Sequence, residues 1–121
     1  MPYDQTCWPF QDSTIAAGTS LSPSIPVSRA NVIALIMPSA WTAASVTFQG
    51  SIDGDNFFDI FDQAGNEIVV PVAANRYVGG LDALGFGCFN YFKLRSGTAS
   101  VPVNQVEDRG IRVVLRNAVG Y

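Results

Sequence analysis

Two stretches of the chain alternate apolar and polar side chains with a period of two. In Tyr91-Phe92-Lys93-Leu94-Arg95, Phe92 and Leu94 fall on one side, with Lys93 and Arg95 on the other. In Ile111-Arg112-Val113-Val114-Leu115-Arg116, Ile111, Val113 and Leu115 share a face opposite Arg112 and Arg116. That period belongs to a strand with one face on a core and the other toward water. A third stretch, Val32-Ile33-Ala34-Leu35-Ile36-Met37, is apolar at every position. It predicts a central strand whose outer face is covered, by a neighbouring segment or by another subunit. Further strands are predicted near Thr14–Ala17, Leu21–Val27, Asn31–Met37, Ser45–Ser51, Phe57–Phe61, Glu67–Val70 and Arg76–Val78. Nearly every ten-residue window holds Gly, Pro or a β-branched cluster, so no long helix is predicted.

Turn chemistry separates these segments. Asp53-Gly54 between strand-like flanks is a hairpin signal, because Gly takes φ > 0 without a steric cost. Ala64-Gly65-Asn66 marks the next turn, and Ser96-Gly97-Thr98 ends the Tyr91 strand. The stretch from Gly79 to Gly87 breaks the rhythm and reads as a loop, with one helical turn near Asp82–Leu84. Met1 to Asp12 carries Tyr3, Trp8 and Phe10 together with Pro2 and Pro9, which favours an extended path. Such an arm covers either its own core or a neighbour. The prediction is an all-β fold: an antiparallel β-sandwich, jelly-roll-like, of about eight short strands. An extended N-terminal arm (1–12) precedes a single domain (13–121).

Composition changes the picture of the surface. Of the 121 residues, 14% are charged, against about 25% in an ordinary soluble domain. There is one lysine, Lys93, and the glutamates are Glu67 and Glu107. Mean hydropathy is +0.21. Much of the exterior is therefore expected to be covered by further copies or by a larger assembly. The net charge of −3 argues against nonspecific nucleic-acid binding. The longest apolar run, Val32 to Met37, falls far short of the roughly 20 residues a membrane-spanning helix needs. Met1-Pro2-Tyr3-Asp4 lacks the basic and apolar regions of a signal peptide. Cys7 and Cys88 have no metal-ligand spacing; two reduced thiols are expected, with one disulfide the alternative. Charge is also segregated. Asp53, Asp55, Asp59, Asp62 and Glu67 have no base among them, whereas Lys93, Arg95, Arg109, Arg112 and Arg116 follow late. This is either a recognition pattern between copies or a set of ordinary solvated faces.

Little in the chain suggests catalysis. It contains no histidine, which removes the commonest general base, nucleophile partner and metal ligand. No phosphate-binding or dinucleotide motif occurs, and no cofactor is expected. Asp53, Asp55, Asp59 and Asp62 invite comparison with Ca²⁺ loops and paired-carboxylate hydrolases. Their spacing does not match an EF-hand loop. Asp53 and Asp55 sit in a turn, where Asp is favoured for local hydrogen bonds, and Asp59 alternates with Phe58 and Ile60, which predicts that it faces solvent. Trp41, after Pro38, either stacks on a partner from its loop or folds over the sandwich edge. Tyr77 beside Arg76 is either a contact pair or core plus solvent. The candidate partner-binding residues are Tyr3, Trp8, Phe10 and Trp41.

Three segments resemble small proteins of tailed bacteriophages: Val46-Thr47-Phe48-Gln49-Gly50-Ser51-Ile52-Asp53-Gly54-Asp55-Asn56-Phe57-Phe58, Val70-Pro71-Val72-Ala73-Ala74-Asn75-Arg76-Tyr77 and Phe92-Lys93-Leu94-Arg95-Ser96-Gly97-Thr98. The resemblance, spanning roughly Val46 to Leu115, is to the capsid decoration or cement class. Those are small β-sandwich proteins, frequently homotrimeric, that clamp neighbouring major capsid proteins on the outer surface of the head. It implies a structural virion protein made in the host cytoplasm, with the major capsid protein and itself as partners, neither nucleic acid nor membrane, and no enzymatic activity. Ser51-Ile52-Asp53-Gly54-Asp55-Asn56-Phe57 also resembles the hairpin of discoidin-like carbohydrate-binding sandwiches, though without that family's paired terminal cysteines. The alternative function is accordingly a carbohydrate- or receptor-binding β module of a phage tail or baseplate.

Overall fold

The two alternating stretches become inner strands of two different sheets. The computed structural model describes residues 10–27, 30–81 and 89–117. In chain order the strands are β1 (Phe10–Ile15), β2 (Ile25–Pro26), β3 (Ala30–Ile36), β4 (Val46–Ser51), β5 (Phe58–Asp59), β6 (Tyr77–Val78), β7 (Tyr91–Ser96) and β8 (Arg109–Asn117). They form two four-stranded antiparallel sheets, ordered β1-β8-β3-β6 and β2-β7-β4-β5. Each strand of the first half pairs with its counterpart from the other end of the chain: β1 with β8, β2 with β7, β3 with β6 and β4 with β5. Pairings of β3 with β8 and of β4 with β7 complete the sheets.

Period-two burial explains why β7 and β8 are central. Phe92 and Leu94 on β7, and Ile111, Val113 and Leu115 on β8, are all buried. They join one core with Ile15 and Leu35 from the first sheet and Ile25, Val46 and Phe48 from the second. Each such side chain contributes about 1.5–3 kcal/mol on full burial. The all-apolar β3 lies between β8 and β6. Val32 and Leu35 enter the core, while a register shift between Val32 and Ala34 interrupts the pairing with β8. At the end of the sheets near Ser96, the buried Gln105 amide ties three segments together. Its Oε1 accepts from the Thr42 N–H and Arg109 Nε, and its Nε2 donates to the Thr42 carbonyl and Ser96 Oγ.

Several elements differ from their predicted extents. The segment predicted as a strand over Thr14–Ala17 begins at Phe10, so Phe10–Asp12, assigned to the extended arm from sequence, are strand residues paired with Val114–Arg112. The Leu21–Val27 segment shrinks to β2 and a single bridge from Leu21 to Arg95. Pro23 and Pro26 have no N–H for a ladder, and the Ser22 hydroxyl substitutes for a main-chain acceptor by receiving the Leu94 N–H at 2.9 Å. Glu67–Val70 makes bridges to Phe61 and Val46 in place of a continuous strand. Tyr3, Trp8, Cys7, Cys88 and the helical turn predicted at Asp82–Leu84 lie outside the described residues.

Gly97 ends β7 at φ 92°, and a Cβ there would sit 2.5 Å from the Val101 carbonyl oxygen and 2.6 Å from the Val103 nitrogen. Gly65 has a similar φ of 86° but open space around it. Gly97→Ala is therefore expected to cost on the order of 3 kcal/mol, and Gly65→Ala about 1 kcal/mol. Urea unfolding midpoints of the two variants check this; equal losses would refute the steric account.

Candidate functional site

The turn after β4 is held by its own acid. Asp53 Oδ1 accepts the N–H groups of Asp55 and Asn56 and the Ser51 hydroxyl, and Oδ2 accepts Asn56 Nδ2 at 2.8 Å. Gly54, at φ 83°, donates its N–H to Ser51 Oγ. Hydrogen bonds from Asn56 and Asp55 hold the Asp53 carboxyl well below the usual carboxylate range, so it stays ionised. The Asp62 carboxylate fixes the following turn in the same way, accepting from the Ala64 and Asn66 N–H groups. These carboxylates satisfy local backbone. Among the described residues, no group of three or more His, Cys, Asp or Glu is placed to hold a metal ion.

Between the two turns runs β5, and its facing reverses the expectation. Phe58, not Asp59, is the exposed side chain, at 70%. Register explains this: Phe58 lies opposite Gly50 and so on the inner side of the sheet, but at its edge. Asp59 lies opposite Gln49, on the same side as Arg95. Arg95, predicted to face solvent, is 6% exposed. Its Nε donates to Thr47 Oγ1, Nη1 reaches Asp59 Oδ1 at 2.9 Å and Nη2 reaches Glu67 Oε2 at 2.7 Å. The hydrogen bond from Arg95 lowers the Asp59 pKa against the opposing effect of burial. One guanidinium thus fastens both arms of the 58–67 hairpin to β4 and β7.

With the hairpin fixed, Ile52 is left 74% exposed, Phe58 70% and Phe61 53%. They border a hollow of about 660 Å³ whose remaining apolar wall is Gly50, Ile60 and Phe89. Gly50 makes this closure possible: a Cβ there would lie 3.1 Å from the Phe89 ring and 3.3 Å from Ile60 Cδ1. Phe89 packs at a tilt against Phe92 with ring centroids 5.8 Å apart, and Phe92 against Phe48 at 6.4 Å, so the back of the hollow is the end of the core's own aromatic row. The polar lining is Ser51, Asp53, Asn56 and Asp59, and the hydrogen bonds above already engage all four.

A second surface lies on the outer face of the first sheet. Pairing registers place Asp12, Arg112, Ile36 and Tyr77 side by side across its four strands. Arg112 forms a two-pronged pair with Asp12 at 2.8 and 3.1 Å, and stacks over the Phe10 ring at 4.1 Å. Tyr77 is 64% exposed. Phe10 therefore belongs to a charged and aromatic strip on a strand. Trp41 lies elsewhere, next to the Thr42–Gln105 network, half-buried against the core with its indole N–H donated to the Ala44 carbonyl at 3.0 Å. The two described candidates do not share a site. The exposed group Ile52, Phe58 and Phe61 was not singled out from sequence. Its one sequence signal is the density of Phe57, Phe58 and Phe61 within an acidic stretch.

Comparison with protein-family models, with curated proteins and with solved structures finds no match to this chain.

The Arg95 cluster generates a pH prediction. Asp59 has its folded pKa depressed below 3.8, so its contribution is fully present above the unfolded value and is lost as pH falls through the folded value. Stability is expected to fall below about pH 4, and Asp59→Asn is expected to flatten part of that fall. Arg95→Met, which strands two carboxylates, is expected to cost about 2–3 kcal/mol at pH 7. Urea titrations at pH 7 and pH 3 measure both. An unchanged acid limb in Asp59→Asn would contradict the assigned pairing.

Proposed function

We propose that this chain is a structural virion protein that decorates and stabilises a bacteriophage capsid by bridging major capsid protein subunits, as a homotrimer and without enzymatic activity. The observation that carries the reading is the presence of two separate exposed surfaces with large hydrophobic side chains: the apolar hollow beside β5, and the charged and aromatic strip from Phe10 to Tyr77 on the other sheet. A protein that bridges needs two such surfaces, and one that binds a single small ligand needs one. The low charge and the resemblance of Val46–Leu115 to decoration proteins support the same reading. By mass action, a protein that binds the assembled lattice and not free subunits stabilises the lattice. The fold reading is a jelly roll: the nested pairing of β1 with β8 through β4 with β5 is that of one long hairpin wound into two sheets. The alternative, a sugar-binding tail module, calls for free hydrogen-bonding groups around the aromatic faces, and in the hollow the Asp53 carboxylate and the Ser51 hydroxyl are already taken up by their own turn.

Immunogold electron microscopy of virions carrying the chain tests this, with label expected over the head. Phe58→Ala with Phe61→Ala is expected to lower the copies per head at least tenfold, given about 1.5–3 kcal/mol for each buried aromatic, with the Tm of the free protein nearly unchanged. Label confined to the tail would overturn the proposal in favour of the tail module.

A further inference from the structure

The hollow beside β5 has a chemistry that selects its occupant. This inference rests on the proposed role as a protein-binding module and names what the module binds. We propose that the hollow receives a surface segment of the partner protein carrying one bulky apolar side chain next to a lysine or arginine.

Ile52, Phe58 and Phe61 are exposed around a concave wall closed by Ile60 and Phe89, the profile of a pocket that takes a partner's anchor side chain. Several of the polar atoms on its lining are already hydrogen-bonded within the protein. Asp53 is saturated by its turn, Ser51 Oγ donates to Asp53 while accepting from Gly54, and Asp59 accepts from Arg95 and Gln49.

No lysine or arginine occurs between Arg29 and Arg76, and that interval holds Asp53, Asp55, Asp59, Asp62 and Glu67. Arg95 pairs with both Asp59 and Glu67, which leaves one negative charge on that trio. Lys93, the other base on β7, sits over the Phe57 ring at 4.3 Å. Among the described residues, no ion pair is formed by Asp53, Asp55 or Asp62. Asp53 and Asp59 are the carboxylates on the lining of the hollow, Asp55 belongs to the same turn as Asp53, and Asp62 follows Phe61 in the chain, so the charge at and beside the hollow is net negative. Its complement is a cation placed beside an apolar anchor; an acidic neighbour is repelled.

The full chain, labelled with ¹⁵N, is titrated with two peptides that differ only in charge: acetyl-Gly-Lys-Phe-Lys-Gly-amide and acetyl-Gly-Glu-Phe-Glu-Gly-amide. The lysine peptide is expected to shift the amide signals of Ile52, Phe58, Phe61 and Phe89, and the glutamate peptide to leave them in place. Raising NaCl from 50 to 500 mM is expected to weaken the lysine peptide about threefold or more. Asp55→Lys, at an exposed position with no side-chain hydrogen bond to lose, is expected to do the same without changing Tm. Equal responses to the two peptides, responses mapping elsewhere, or no response to the lysine peptide would overturn the inference. A head-labelling result that stands while charge has no effect would remove this inference alone. Label on the tail together with charge-selective binding would remove the capsid reading alone.

Discussion

Everything in the molecule depends on the burial of β7 against β8 across the space between the two sheets. Phe92 and Leu94 meet the same core as Ile111, Val113 and Leu115, and every other strand is attached to one of these two directly or through one neighbour. Strands of two residues such as β2, β5 and β6 have too few ladder hydrogen bonds to persist alone. They survive because they extend sheets already anchored by the central pair. The nesting of early strands on late ones also makes most contacts distant in sequence, which predicts slow folding for a chain of this length.

The same arrangement fixes where surfaces are free. A sheet edge has no facing sheet beyond it, so a side chain on the inner side of an edge strand meets solvent. Phe58 occupies that position, opposite Gly50. Arg95 shows the converse: it is on the outer side of a sheet, where water is expected, yet Asp59 and Glu67 cover it. Buried ion pairs contribute little net stability, because desolvation offsets their attraction, but they discriminate strongly between geometries. Here the geometry selected is that of the 58–67 hairpin, and with it the direction in which Phe58 and Phe61 point.

What could be read from the chain follows from the range of each signal. The alternation in β7 and β8 is local and strong, so both strands and their buried faces were legible. The Asp53-Gly54 turn was legible because its hydrogen bonds close within a few residues. The facing of β5 was not. Alternation of Phe58, Asp59 and Ile60 tells which residues share a side, but the side that is covered depends on a strand's place in the sheet. Arg95 was misread for a related reason: its carboxylates lie 36 and 28 residues away, beyond any local pattern. Trp41 carried two open readings; its indole N–H is bonded to the Ala44 carbonyl and its ring is half-buried against the core.

The exposed aromatics are best understood as an energy left uncollected by folding. A Phe or Ile withheld from the core forgoes about 1.5–3 kcal/mol, and a domain with few charges has little else to keep it soluble. Ile52, Phe58 and Phe61 are not flexible ends that failed to find a place. Each is presented by a turn or strand that Asp53, Asp62 or Arg95 holds with specific hydrogen bonds. Fixing them in advance lowers the entropy cost of association, which is the main charge against any interface of modest area. Under the proposed role, a surface that is apolar, preorganised and flanked by carboxylates would retain affinity for a basic partner while repelling acidic surfaces. That combination accounts for a small domain that carries its least soluble side chains beside its most soluble ones.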